Sequence, residues 1–94
     1  MTKDEQLINE KYDVQFFTAD NQVAKRFILS KGDKINTDIS QYSHLGILGY
    51  GSIRVDTPGR SMVHDSGDCI VITANTGHII TALEDSCWFC INQE

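Results

Sequence analysis

The sequence predicts an all-β domain, a sandwich or barrel of short strands, on three observations. Short segments rich in β-formers recur between turn signals spaced about 8–12 residues apart. The signals are clusters of glycine, proline, asparagine and aspartate, as in Ala19-Asp20-Asn21, Lys31-Gly32-Asp33, Thr57-Pro58-Gly59-Arg60 and Ser66-Gly67-Asp68. No segment carries an amphipathic helical repeat of useful length.

Residues 1–12 read as an N-terminal arm or a short helical turn, with both alternatives open, and residues 13–94 as one barrel. Val14 to Thr18 is rich in β-formers and closes on the Ala19-Asp20-Asn21 turn. Gln22 to Ser30 alternates, with Val23, Phe27 and Leu29 on one face and Lys25 between them. Ile35 to His44 is a weaker strand with polar residues at alternate positions. Gly46 to Val55 reads as one longer strand whose glycines mark bulges or close backbone approach. Pro58 and Gly59 suit a β-turn, and Ser61 to His64 returns from it. Cys69 to Thr73 is continuously apolar, and Ala74 to Gly77 is a loop. His78 to Leu83 and Cys87 to Asn92 form a last pair around Glu84-Asp85-Ser86.

A chain of 94 residues fits one domain, and its mass of 10.5 kDa implies burial of roughly 64% of the extended surface, enough for one modest core. Hydrophobic residues make up 40% and charged residues 22%, which suits a globular domain. The net charge of −5 with scattered basic residues argues against nucleic acid, which needs clustered Lys and Arg. The longest apolar stretches, such as Cys69 to Ile72, fall far short of the roughly 20 residues of a membrane helix. The polar start, MTKDEQLINE, holds no signal-peptide core, so the sequence points to the cytosol.

The three cysteines, Cys69, Cys87 and Cys90, read as free thiols. Cys87 and Cys90 form a C-x-x-C inside CWFCI, a strand rather than a helix start or knuckle. Residues three apart on a strand face opposite sides, so the pair is not read as a redox or metal motif. Trp88 and Phe89 likewise face opposite sides, one toward the core and the other toward an interface between subunits.

Two spacings resemble the motifs of the cupin superfamily. The first, G-x5-H-x-H-x3-E-x6-G, is matched in register by Gly32, Asp38, Ser40, His44 and Gly51. Both glycines fall in place, while Asp38 and Ser40 replace the histidines and His44 replaces the glutamate. The second, G-x5-P-x-G-x2-H-x3-N, is matched by Gly67, Thr73, Asn75, His78 and Ala82, where only the first glycine and the histidine keep their type. Asn75 can stand in for glycine because asparagine tolerates the left-handed backbone region. The fifteen residues between the motifs, Ser52 to Ser66, suit a compact member. The resemblance spans roughly residues 23 to 92 and rests on the joint register of Gly32, Gly51, Gly67 and His78. The chain also resembles short cupin-like proteins of bacteriophages in its E-D-S-x-W-x-C-I strand, which would place it in a host cytoplasm or a virion.

The resemblance implies a double-stranded β-helix, or jelly-roll barrel, with a partly lost metal-ligand set. Asp38, Ser40, Tyr42 and His44 would share one strand face and meet His78 in the barrel mouth. Tyr50 and Arg54 would line the same pocket and suit a small acid or sugar. Asp38, His44 and His78 form one candidate metal set for Fe, Ni, Zn or Mn, since two imidazoles and a carboxylate suit such ions. The same residues also fit a polar cluster satisfied by its own hydrogen bonds. His64 lies beside a turn and is expected at the surface. No nucleophile with an inferable partner and no phosphate-cradling loop is present.

Three functions follow from that implication. The first is a small-molecule-binding or structural module without the full metal set, associating as a homodimer. The second is a metal-dependent enzyme of the dioxygenase or sugar-isomerase type. The third is a metal-free epimerase with a pocket histidine as base.

Overall fold

The computed structural model describes residues 13–37 and 41–93. The arm at 1–12, Asp38 and Ser40 lie outside the described residues. Nine strands follow one another: β1 (Asp13–Ala19), β2 (Gln22–Leu29), β3 (Lys34–Thr37), β4 (His44–Tyr50), β5 (Ser52–Thr57), β6 (Arg60–Asp65), β7 (Cys69–Ile72), β8 (His78–Ala82) and β9 (Ser86–Gln93). They form two antiparallel sheets, one of five strands ordered β1-β2-β9-β4-β7 and one of four ordered β3-β8-β5-β6. This is the jelly roll that the sequence leads one to expect. No helix among the described residues is long and apolar enough to cross a membrane.

Two tight hairpins obey local turn chemistry. Ala19 pairs with Gln22, leaving Asp20-Asn21 as the loop, with Asp20 at φ 52° in the left-handed region that aspartate tolerates. Thr57 pairs with Arg60 around Pro58-Gly59. Proline presets the first central dihedral and Gly59 takes φ 78° at the second, as a type II turn requires.

Three expectations change. The strand read from Gly46 to Val55 is two strands, β4 and β5, which belong to different sheets. The break is Gly51, at φ 95°, where a Cβ would overlap Ser86 Oγ and the Asp85 carbonyl. Only glycine lets the chain leave one sheet for the other at this point. Of the strand read from Ile35 to His44, Ile35 to Thr37 lie in β3 and His44 opens β4, with Tyr42 in a bend before β4. The last two strands do not pair with each other: β8 lies between β3 and β5, and β9 lies between β2 and β4. Their linker crosses between the sheets, a long-range choice of partner that no local pattern encodes.

The core lies between the sheets. Phe27, Leu29, Leu48, Trp88 and Ile72 come from the five-stranded sheet, and Ile35, Ile53, Val55 and Ile80 from the four-stranded one. Trp88 is fully buried, and its ring occupies the space that a Cβ on Gly46 would need. Ser86 is also fully buried and bridges the sheets. Its Oγ accepts from the Ser52 N–H at 3.1 Å and donates to the Glu84 carbonyl at 2.7 Å. Pairing this hydroxyl removes the cost of burying it.

Candidate functional site

Strand parity decides which side chains enter the interior. On β4, His44 alternates with buried Gly46 and Leu48 and therefore faces inward; its side chain is half-buried. On β8, His78 has the parity of buried Ile80 and Ala82, and it is itself buried. The two imidazoles thus enter from opposite sheets.

Topology places them at the same end of the barrel. Thr37 pairs with His78, and the chain from Thr37 next forms a strand at His44. His44 pairs with Ile72, and the chain from Ile72 next forms a strand at His78. The two connections are tied together, since the Ala74 N–H donates to Ser43 Oγ at 2.9 Å. Asn75 stands between them at φ 59°, the left-handed conformation anticipated for a glycine substitute.

His78 is held at both its backbone and its ring. Thr37 Oγ1 accepts from the His78 N–H and donates to its carbonyl, each at 3.2 Å. His78 Nδ1 lies 2.9 Å from the Thr76 carbonyl. A carbonyl only accepts, so Nδ1 is the donor in this contact and Nε2 is turned away from it.

Two further polar side chains share this interior, and the motif register did not include them. Lys25 is only 4% exposed and faces inward opposite Cys90, which in turn pairs with Gly46. Asn92 lies one step beyond the Ile91–Leu45 pair, at the inward parity of Trp88 and Cys90. Its Oδ1 is buried with no hydrogen-bond partner among the described residues, as is Trp88 Nε1. The signal for Lys25 lay in the sequence, because it has the same strand parity as Val23, Phe27 and Leu29.

The structure does not bring the other anticipated pocket residues inward. Tyr42 is 71% exposed in the bend before β4. A register shift sets Tyr50 opposite Cys87, whose parity is that of the outer face. Arg54 alternates with buried Ile53 and Val55 and faces outward, where its Nε pairs with Asp56 Oδ2 at 3.1 Å. Ser61 also donates to Asp56, and these two hydrogen bonds hold the Asp56 carboxyl below its ordinary pKa. A surface depression of about 360 Å3 beside Asp56 is lined by Thr57, Pro58, Gly77 and Ile79.

His64 departs from its expected surface position. It pairs with Ile53, its side chain is 16% exposed, and Nδ1 lies 3.3 Å from Asp68 Oδ2. It belongs to the end of the barrel opposite His44 and His78, since Ile53 pairs with Ala82 at the far end of β8.

Among the described residues, no group of three His, Cys, Asp or Glu side chains converges closely enough to hold a metal ion. The described residues supply two imidazoles, and the carboxylate that would complete the expected set, Asp38, lies outside them. Cys69 is exposed, while Cys87 and Cys90 are buried, and burial pushes the Cys87 thiol up in pKa.

No family model and no curated protein matches the chain. Solved structures do. A cupin-2 domain protein from Shewanella frigidimarina superposes with a TM-score of 0.74 at 12% identity, over 87% of this chain and 80% of that one. A cupin superfamily protein from Desulfitobacterium hafniense gives 0.75 at 13% identity, over 86% and 77%. A conserved protein of unknown function from Streptococcus pyogenes gives 0.76 at 16% identity, over 88% and 74%. Likeness at such low identity is likeness of fold, and the fold is that of small cupins.

Proposed function

We propose that this cupin-fold chain is a binding module that takes a small polar or acidic molecule into the barrel end lined by His44, His78 and Asn92. The observation that carries this reading is the buried Asn92 Oδ1, which has no partner among the described residues and lies at the end where both imidazoles enter. A buried polar atom without a partner costs stability of about 1–3 kcal/mol, so a group that satisfies it is favoured there. Lys25 lies on the adjacent inward row of the same interior. A cytosolic setting, in a host cell or a phage particle, is part of this proposal and agrees with free thiols.

A thermal-shift panel of acetate, malonate, succinate and glucose tests it. A ligand that binds only the folded state raises stability by about 2.7 kcal/mol at a hundred times its Kd. The expected outcome is a saturable rise in Tm with a carboxylate, abolished in His78→Gln. A flat response to the whole panel contradicts the proposal.

A second reading is favoured by one detail. The Nδ1 contact to the Thr76 carbonyl orients the His78 ring, as a carbonyl behind a metal-binding imidazole does. In that reading His44, His78 and Asp38 hold Fe, Ni, Zn or Mn, which would serve a dioxygenase or sugar-isomerase activity. Metal analysis of purified protein separates the readings. Stoichiometric metal that is lost in the His44→Ala, His78→Ala double variant supports the second, and metal-free protein that binds a carboxylate supports the first.

A further inference from the structure

The outer face of the four-stranded sheet carries a row of side chains that does not satisfy itself. Lys34 on β3, Thr81 on β8 and Arg54 on β5 are directly opposed on three neighbouring strands. Thr81 stands between the two cations and faces outward, because Ile80 and Ala82 on either side of it are inward core positions of β8. Although it belongs to an outer face, Thr81 is only 8% exposed, and its Oγ1 is buried with no hydrogen-bond partner among the described residues. Lysine and arginine lay their stems along neighbouring surface and keep their heads in water, which accounts for the burial. A hydroxyl left unpaired costs stability, so a group that accepts from it is favoured there.

The next row along β8 differs in character. Ile79 is 42% exposed and stands opposite Asp56, and both border the depression of about 360 Å3 that reaches Pro58. Two residues along a strand span about 6.7 Å, so the cationic row and this apolar floor lie one small molecule's length apart. We propose that this outer face binds an aromatic monocarboxylate, with its carboxylate between Lys34 and Arg54 on the Thr81 hydroxyl and its ring over Ile79 toward Pro58. The site lies on the opposite side of the sheet from the barrel interior and stands independently of what binds there.

Charge selects that class of ligand. Lys34 and Arg54 against Asp56 leave one net positive charge on these two rows, in a chain that carries −5. Arg54 reaches Asp56 through Nε at 3.1 Å, and the other N–H groups of a guanidinium are donors suited to a carboxylate. Asp56 is held ionised by hydrogen bonds from Ser61 and Arg54, and further by the charges of Arg54 and Lys34, so both cations act on this part of the face. A fixed carboxylate at the edge of the depression repels a second negative charge on the ligand, which favours a monoanion over a dianion.

Titration of the full chain with benzoate, followed by backbone and arginine side-chain NMR, tests the proposal. The expected result is one saturable curve shared by the Ile79 and Thr81 amides and the Arg54 Nε–H. Benzamide, the same ring without the charge, should not saturate it, and acetate, which lacks the ring, should bind about tenfold more weakly. Thr81→Val keeps the shape of the side chain and removes the hydroxyl. It should weaken benzoate about fivefold or more and, without ligand, raise Tm by removing an unpaired buried group. Lys34→Gln should weaken benzoate as well. The outer site would be overturned by a flat response at Thr81, by equal affinity for benzamide, or by unchanged affinity or a lowered Tm in Thr81→Val. Shifts confined to the His44 and His78 rings would also overturn it, by placing benzoate inside the barrel.

Discussion

The two ends of the barrel interior are built by the same alternation of strands and filled differently. At one end Leu29, Leu48, Ile53, Ala82 and Ser86 are almost completely excluded from water, and the inward hydroxyl of Ser86 is paired. At the other end His44, His78 and Asn92 enter the interior, with Lys25 on the adjacent inward row, and Asn92 keeps an acceptor without a described partner. A closed apolar end contributes stability, whereas an end that buries polar groups gives some of it up. The difference separates what folds the chain from what the chain can bind.

Substitutions sharpen that contrast in order of size. Trp88→Ala removes the largest fully buried side chain and should lower unfolding free energy by about 3–5 kcal/mol in guanidinium titration. Gly46→Ala forces a methyl into the Trp88 ring and should cost about 1–3 kcal/mol. At the polar end, His78→Gln keeps the backbone bonds to Thr37 and loses the Nδ1 contact to Thr76, so it should change stability by about 1 kcal/mol, yet it should abolish the carboxylate-dependent rise in Tm. A loss as large as that of Trp88→Ala would make His78 a core residue and break the contrast.

The smallest effect belongs to the outer polar face. Hydrogen bonds from Ser61 and Arg54 depress the pKa of Asp56, so the folded state binds its proton less readily than the unfolded chain. The resulting stabilisation is fully present above the ordinary carboxylate pKa and fades as pH falls through the lower folded value. Wild type should therefore exceed Asp56→Asn in denaturation midpoint at pH 7, and the gap should close below about pH 4. A gap that persists in acid would assign the effect to packing instead.

Much of the fold was legible because turns and alternation are local. Asp20, Pro58-Gly59 and Asn75 declare backbone conformations that neighbouring residues alone determine, and each takes the dihedral its chemistry favours. Strand pairing is not local. His78 to Leu83 and Cys87 to Asn92 look like a hairpin in sequence, and nothing within them says that β9 joins β2 and β4 instead. The candidate site was legible where register and parity coincide, at His44 and His78. It was misread where a strand breaks or shifts: Arg54 falls beyond the Gly51 switch, and Tyr50 falls at the bulge opposite Cys87. Lys25 was visible as an inward position, but a lysine on an apolar face reads as an exception until the sheet closes around it.

His44 and His78 share one interior space, and His64 lies at the opposite end of the barrel. Histidine-ring NMR measures it directly, with the three rings followed during titration by the carboxylate that gives the largest thermal shift. The account predicts that the His44 and His78 rings shift together along one binding curve while His64 stays in place. Movement of only one of the pair, or of His64 along with them, would contradict it.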